Sequence, residues 1–174
     1  EQALENSLVV GRRLYGYVDE NNRFYLERIA YQVKIREFYK PEKQKALSRY
    51  IQVVQRAFNL DAVEIYSPNL QRLSYAMADE LQQRALEILA AEHFQKKMAP
   101  EGFRTLTASG DDGELIRTIC AVPFGASTEE AQAYAVVSVL VPPDLAEDLI
   151  SISRGFEEYQ QIKLLKEPIR ATYY

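Results

Sequence analysis

Residues 103–141, FRTLTASGDDGELIRTICAVPFGASTEEAQAYAVVSVLV, carry three runs of β-forming residues separated by two breaks rich in glycine, aspartate, serine and proline. Strands are predicted over 103–108, 115–122 and 133–141, because Val, Ile, Thr, Tyr and Phe recur there. Ser109-Gly110-Asp111-Asp112-Gly113 makes the first turn and residues 123–130 the second. Connections this short join antiparallel neighbours, so the stretch reads as a meander. Pro142-Pro143-Asp144 ends it and opens a helix in which Leu145, Leu149, Ile152, Phe156 and Tyr159 recur at steps of four and three.

Upstream of the meander, residues 62–66 alternate, Ser67-Pro68-Asn69 turns, and 71–77 offers a partner strand, which predicts a hairpin. Asp79 is expected to cap a third helix, with Leu81, Ala85, Ile88, Leu89 and Phe94 on one face and Pro100 and Gly102 closing it. Before the hairpin, the first forty residues read as one long helix. Leu4, Leu8, Gly11, Tyr15, Val18, Asn22, Tyr25 and Ile29 follow the 3.5-residue period of a coiled-coil seam, which implies a helix as partner. Gly11, Gly16 and Asn21-Asn22 each weaken that helix by up to about 1 kcal/mol, so a bend is expected there. Pro41 starts a second helix, with Leu47, Tyr50, Ile51, Val54 and Phe58 as its apolar face, ending near Asn59.

The order of elements is helix, helix, two strands, helix, three strands, helix. It predicts an α+β fold with a five-stranded antiparallel sheet and long N- and C-terminal helices, and it resembles the single-Cache sensor domain, the extracytoplasmic relative of PAS. One domain over 1–174 is expected: N-terminal helices to residue 59, a PAS-like sheet with its inserted helix over 60–142, and a C-terminal helix over 143–174. The segment Ser153-Arg154-Gly155-Phe156-Glu157-Glu158-Tyr159, with Gln161, Leu164-Leu165-Lys166 and Pro168-Ile169-Arg170, resembles the stretch before the second membrane helix in NtrY-like sensor histidine kinases. That resemblance implies a periplasmic sensor held between two membrane helices, with a HAMP linker, a PAS domain and the kinase core in the cytoplasm. It also implies an input domain with no catalysis of its own. The mirrored terminal helices suggest homodimerisation, and a chemoreceptor or cyclic-nucleotide synthase carrying the same fold, or a ligand-free helical scaffold, are the rival readings.

Composition narrows the partners. Hydrophobic residues make up 47% and charged residues 26% of 174, an ordinary globular balance. The net charge of -4 comes from 25 acids interspersed with 21 bases, with no basic block to neutralise phosphates, so nucleic acid is not expected. No run approaches the ~18 apolar residues needed to cross a bilayer. The chain opens at Glu1 inside a helical pattern and closes on Thr172, Tyr173 and Tyr174, which suits a piece lying between flanking membrane helices; a frayed tail would read the same way.

Chemistry-bearing residues are few. Cys120, the single cysteine, excludes an intrachain disulfide and reads as a small buried hydrophobe. His93, the single histidine, lacks a phosphoacceptor box and reads as a surface or boundary residue. Asp111-Asp112 fits a turn better than a metal site, since calcium-loop spacing is missing. No nucleophile stands beside a base, and no cofactor is expected. Ligand binding is the expected chemistry, with a small anionic metabolite in an apolar pocket against the sheet. Arg117 lies mid-strand on one face with Leu115, Ile119 and Ala121, and a guanidinium there needs a carboxylate, either from a ligand or from Glu64 across the sheet, unless it reaches solvent. Arg104, Tyr66, Tyr75 and Tyr134 lie on or beside strands and are candidates to line the same cavity.

Overall fold

The computed structural model describes residues 2–81, 86–95 and 101–143. Helix α1 spans Gln2–Ile35, α2 spans Gln44–Ala57 after a 3-10 turn over Pro41–Lys43, and α3 is a short helix over Ala91–Gln95. The strands are β1 Ala62–Tyr66, β2 Arg72–Met77, β3 Phe103–Gly110, β4 Gly113–Val122 and β5 Ala133–Val141. They form one antiparallel sheet in the order β2-β1-β5-β4-β3, which is the PAS-like arrangement. The long C-terminal helix expected over 143–174 lies almost wholly outside the described residues.

Two helix ends stop in the same way. Glu37 and Asn59 take positive φ of 55° and 51°. The N–H of the following residue then reaches back to close the helix: Phe38 to the Val33 carbonyl at 3.0 Å, and Leu60 to that of Gln55 at 2.9 Å. Phe38 and Leu60 are buried, so each helix stop also seats an apolar anchor in the core.

The inward stripe of α1 is Leu14, Val18, Asn22, Leu26, Ile29 and Val33, and its partner is the sheet rather than a second helix. Each buried Leu, Ile or Val there contributes about 1.5–3 kcal/mol, which holds the helix on the sheet. Tyr15, expected in the seam, is exposed, and Tyr25 is half-buried. The side chains of Leu4 and Leu8 lie outside those described. A straight-helix period of 3.6 therefore replaces the 3.5-residue seam over the described part, because a sheet imposes no supercoil.

No break occurs at Gly11, Gly16 or Asn21-Asn22: α1 is one helix throughout. Asn22 is fully buried, and its Nδ2 donates to Thr118 Oγ1 at 3.0 Å and to the Ile116 carbonyl at 3.3 Å. Thr118 Oγ1 lies 3.1 Å from Thr105 Oγ1, which donates to Asp19, itself paired with Arg23 at 2.9 Å. A polar thread thus fixes α1 against β3 and β4.

Along its length α1 runs with β4. Leu14 and Val18 cluster with Ile116, Val139 and Val141 near the start of β4, while Leu26 and Val33 join the cluster that contains Cys120, Val122 and Ala133 at its other end. Residues 2–13 carry the helix about 18 Å further, beyond Leu14 toward the Gly113 end of the sheet. The last strand, β5, finishes at that same end, with Val141 opposite Glu114.

Asp111 and Asp112 form a two-residue β3–β4 turn that opens into Gly113 at φ 125°. A Cβ at Gly113 would run into the Val141 carbonyl. Gly113→Ala is therefore expected to cost about 1–3 kcal/mol in the backbone alone, measured as a lowered urea midpoint with unchanged slope.

The third helix differs from expectation. Among the described residues, Asp79–Leu81 is a 3-10 turn, 86–90 are irregular, and Ala91–Gln95 is helical. Side chains from the sheet use the backbone groups of 86–89 in place of helical bonds, as follows.

Candidate functional site

Strand register divides the sheet into two faces. One bears Val63, Ile65, Cys120, Val122, Ala135 and Val137 and is covered by α1 and α2. Cys120 lies in this core, where burial pushes its thiol well above the ordinary range, as suits a packed hydrophobe. The opposite face carries Glu64 and Tyr66 from β1, Arg72 and Tyr75 from β2, Arg104 from β3, Arg117 and Ile119 from β4, and Tyr134, Val136 and Ser138 from β5. All five residues singled out in the sequence, Arg117, Arg104, Tyr134, Tyr66 and Tyr75, share that face.

Its centre is ionic. Arg117, 5% exposed, donates from Nη2 to Glu64 Oε1 at 2.6 Å and from Nη1 to the Glu87 carbonyl at 2.9 Å. Of the partners open to Arg117, the carboxylate is therefore the protein's own. Glu64, 0% exposed, has its second oxygen taken by Tyr66 Oη at 2.6 Å and Arg72 Nη1 at 3.3 Å. A carboxylate this deep is stable only when so fully bonded. Arg72 Nη1 also donates to the Leu86 carbonyl at 2.9 Å, and the Arg72 guanidinium stacks 3.9 Å over the Tyr75 ring. The Leu89 N–H donates to Tyr66 Oη at 3.0 Å. Residues 86–89 form a strap whose carbonyls and N–H are held by Arg72, Arg117 and Tyr66.

Apolar clusters flank this polar band. On one side Phe94 of α3 packs against Tyr66 and Tyr134, with ring centroids 4.9 Å and 5.1 Å apart, together with Leu89, Ile119 and Val136. On the other, Leu81 and Leu86 cover Ala62 and Leu115. Tyr134 is thus a buried packing residue, Tyr75 is largely exposed, and Arg104 is half-exposed at the β3 edge.

Arg72 and Ser138 had no place among the sequence candidates. Strict alternation puts Arg72 on the face opposite Tyr75, but a register shift between Ile65 and Tyr66 brings it opposite Tyr66. His93 is half-exposed on α3, 3.9 Å from Glu92. Among the described residues no group of three or more His, Cys, Asp and Glu is gathered to hold a metal.

Burial first, and the Glu64 charge second, push the Tyr66 hydroxyl up to about 12; burial does the same to Tyr50. Between pH 10 and 12 the unfolded chain releases protons that the folded chain keeps, so stability is complete below pH 10 and falls as pH rises through this window. A melting-temperature series from pH 8 to 12, followed with tyrosinate absorbance, is expected to show that decline, shallower in Tyr66→Phe.

No protein-family model matches the chain, and no curated protein matches it by sequence. Solved structures do. The ligand-binding domain of Campylobacter jejuni chemoreceptor Tlp3 in complex with L-valine is 14% identical, with a TM-score of 0.51 over 84% of this chain and 61% of that one. The sensory domain of the same chemoreceptor is 15% identical, with a TM-score of 0.52 over 84% of this chain and 62% of that one. The chain thus spans about three fifths of the length of those structures, and what it shares with them is the fold, an α+β, PAS-like antiparallel sheet with helices.

Proposed function

We propose that the chain is the extracytoplasmic signal-input domain of a bacterial membrane-bound receptor, built to bind a small molecule and to pass displacement along its helical stems. The observation that carries this reading is the position of α1 relative to the end of β5. The helix runs about 18 Å beyond Leu14 toward the Gly113 end, and β5 delivers the chain to that same end, with Val141 in one cluster with Leu14 and Val18. A helix and a last described strand that share one end suit a domain standing on a membrane. The resemblance of residues 153–170 to NtrY-like kinases favours a two-component sensor histidine kinase, periplasmic and dimerised through its terminal helices, with no reaction of its own. The Tlp3 likeness favours a chemoreceptor equally well. No helix among the described residues is long and apolar enough to cross a membrane, so the spans would have to flank this segment.

The gene tests it. An apolar span of about 20 residues on each side of this segment is expected, with a HAMP linker and histidine kinase downstream; a chemoreceptor signalling hairpin there would select the second reading. Absence of both spans would refute the proposal. Any ligand acts by preferring one helix arrangement, since equal affinity for both shifts nothing.

A further inference from the structure

The face that carries Glu64 is rich in arginine. Arg72, Arg104 and Arg117 share it with one central carboxylate, and both oxygens of Glu64 are already bonded. At the rim, Asp61 Oδ2 accepts the Leu140 N–H. Residues 82–85, Gln-Gln-Arg-Ala, add no acid by sequence.

Two further groups point the same way. Arg117 Nε and Ser138 Oγ are both buried and lack a partner. Their residues are cross-strand partners in β4 and β5, and Ser138 is fully buried. An N–H and an O–H carried by cross-strand partners in a dry place between arginines suit the oxygens of an anion, because bonds to a charged acceptor are about twice as strong as neutral ones. Meanwhile Nη1 of Arg117 is occupied by a neutral acceptor, the Glu87 carbonyl at 2.9 Å, and Nη1 of Arg72 divides between the Leu86 carbonyl at 2.9 Å and Glu64 Oε2 at 3.3 Å. Those carbonyls belong to an irregular strap that a carboxylate can displace. Leu89, Ile119 and Val136 supply an aliphatic wall beside it.

Building on the ligand-binding reading above, we propose that the 86–89 strap is a lid over a site for a small aliphatic carboxylate that carries no ammonium group, the carboxylate replacing the Leu86 and Glu87 carbonyls on Arg72 and Arg117 and engaging Arg117 Nε and Ser138 Oγ. The missing ammonium follows from charge. An amino acid would bring a further cation to a site whose central carboxylate is saturated, and the buried ammonium would stay unpaired.

Three probes on one skeleton test this by calorimetry and thermal shift: 3-methylbutanoate, L-valine and 2-methylpropylamine. The carboxylate is expected to bind and raise the melting temperature, L-valine to bind at least about tenfold more weakly, and the amine not at all. Arg72→Gln and the milder Ser138→Ala should each weaken 3-methylbutanoate about five- to tenfold, and bound probe should speed hydrogen exchange at the Leu89 amide as its bond to Tyr66 is released. L-valine binding as tightly as 3-methylbutanoate would overturn the ligand class. Unchanged affinity in both variants would overturn the site, and silence from all three probes would overturn the proposal as a whole. The receptor reading is judged separately, by the flanking spans.

Discussion

Glu64→Gln is expected to lower unfolding free energy by about 3–5 kcal/mol, the cost of leaving a buried charge without its counterion. Arg117 is 5% exposed and meets Glu64 at 2.6 Å, so its guanidinium has no water to turn to once the carboxylate is gone. The amide also presents an NH2 where three donors, from Arg117, Arg72 and Tyr66, now converge on oxygen. Urea unfolding should show a lower midpoint with unchanged slope. Replacing the pair together is a different case. Glu64→Leu with Arg117→Met exchanges two ions for apolar side chains of similar size, which is often neutral or stabilising. The double variant should be more stable than Glu64→Gln, and the cycle should show a coupling of at least about 1 kcal/mol. A double variant as unstable as the sum of its singles would show that the ions are not one unit.

Phe94→Ala is expected to cost about 3–5 kcal/mol, as for other fully buried aromatic side chains. Phe94 is 1% exposed and lies between Tyr66 and Tyr134, and it is the buried anchor of α3 among the described residues. Most of a helix's stability comes from the packing of its apolar face. Its truncation should therefore loosen the whole covering of that face, visible as faster hydrogen exchange at 86–95 along with the lower urea midpoint. Ile88→Ala, on an exposed neighbour, should stay within about 0.5 kcal/mol of the parent.

The meander and hairpin were legible because each strand alternates β-formers between unmistakable breaks, and the resulting order of elements was enough to predict the PAS-like sheet. Other features were set by contacts that no local pattern records. Leu81, Leu86, Leu89 and Phe94 do face the core, which is why a helical spacing fits them, yet the segment is a strap because Arg72, Arg117 and Tyr66 claim its backbone. The seam of α1 was misread at Tyr15, which is exposed, since periods of 3.5 and 3.6 differ little over three turns and the partner decides between them. For the site, alternation along β4 correctly grouped Arg117 with Ile119 and named Glu64 as one possible mate. Arg72 was hidden by the Ile65/Tyr66 irregularity, which moves one residue to the other side of the sheet.

The burial of Asn22 gives α1 a notch. Sliding the helix one turn along β4, about 5.4 Å, would carry the amide away from Thr118 and the Ile116 carbonyl and set an apolar residue against them, stranding buried polar groups at about 1–3 kcal/mol each. A push along the helix axis is thus resisted until it suffices to clear a whole step, and the rod holds position or jumps, without creeping between.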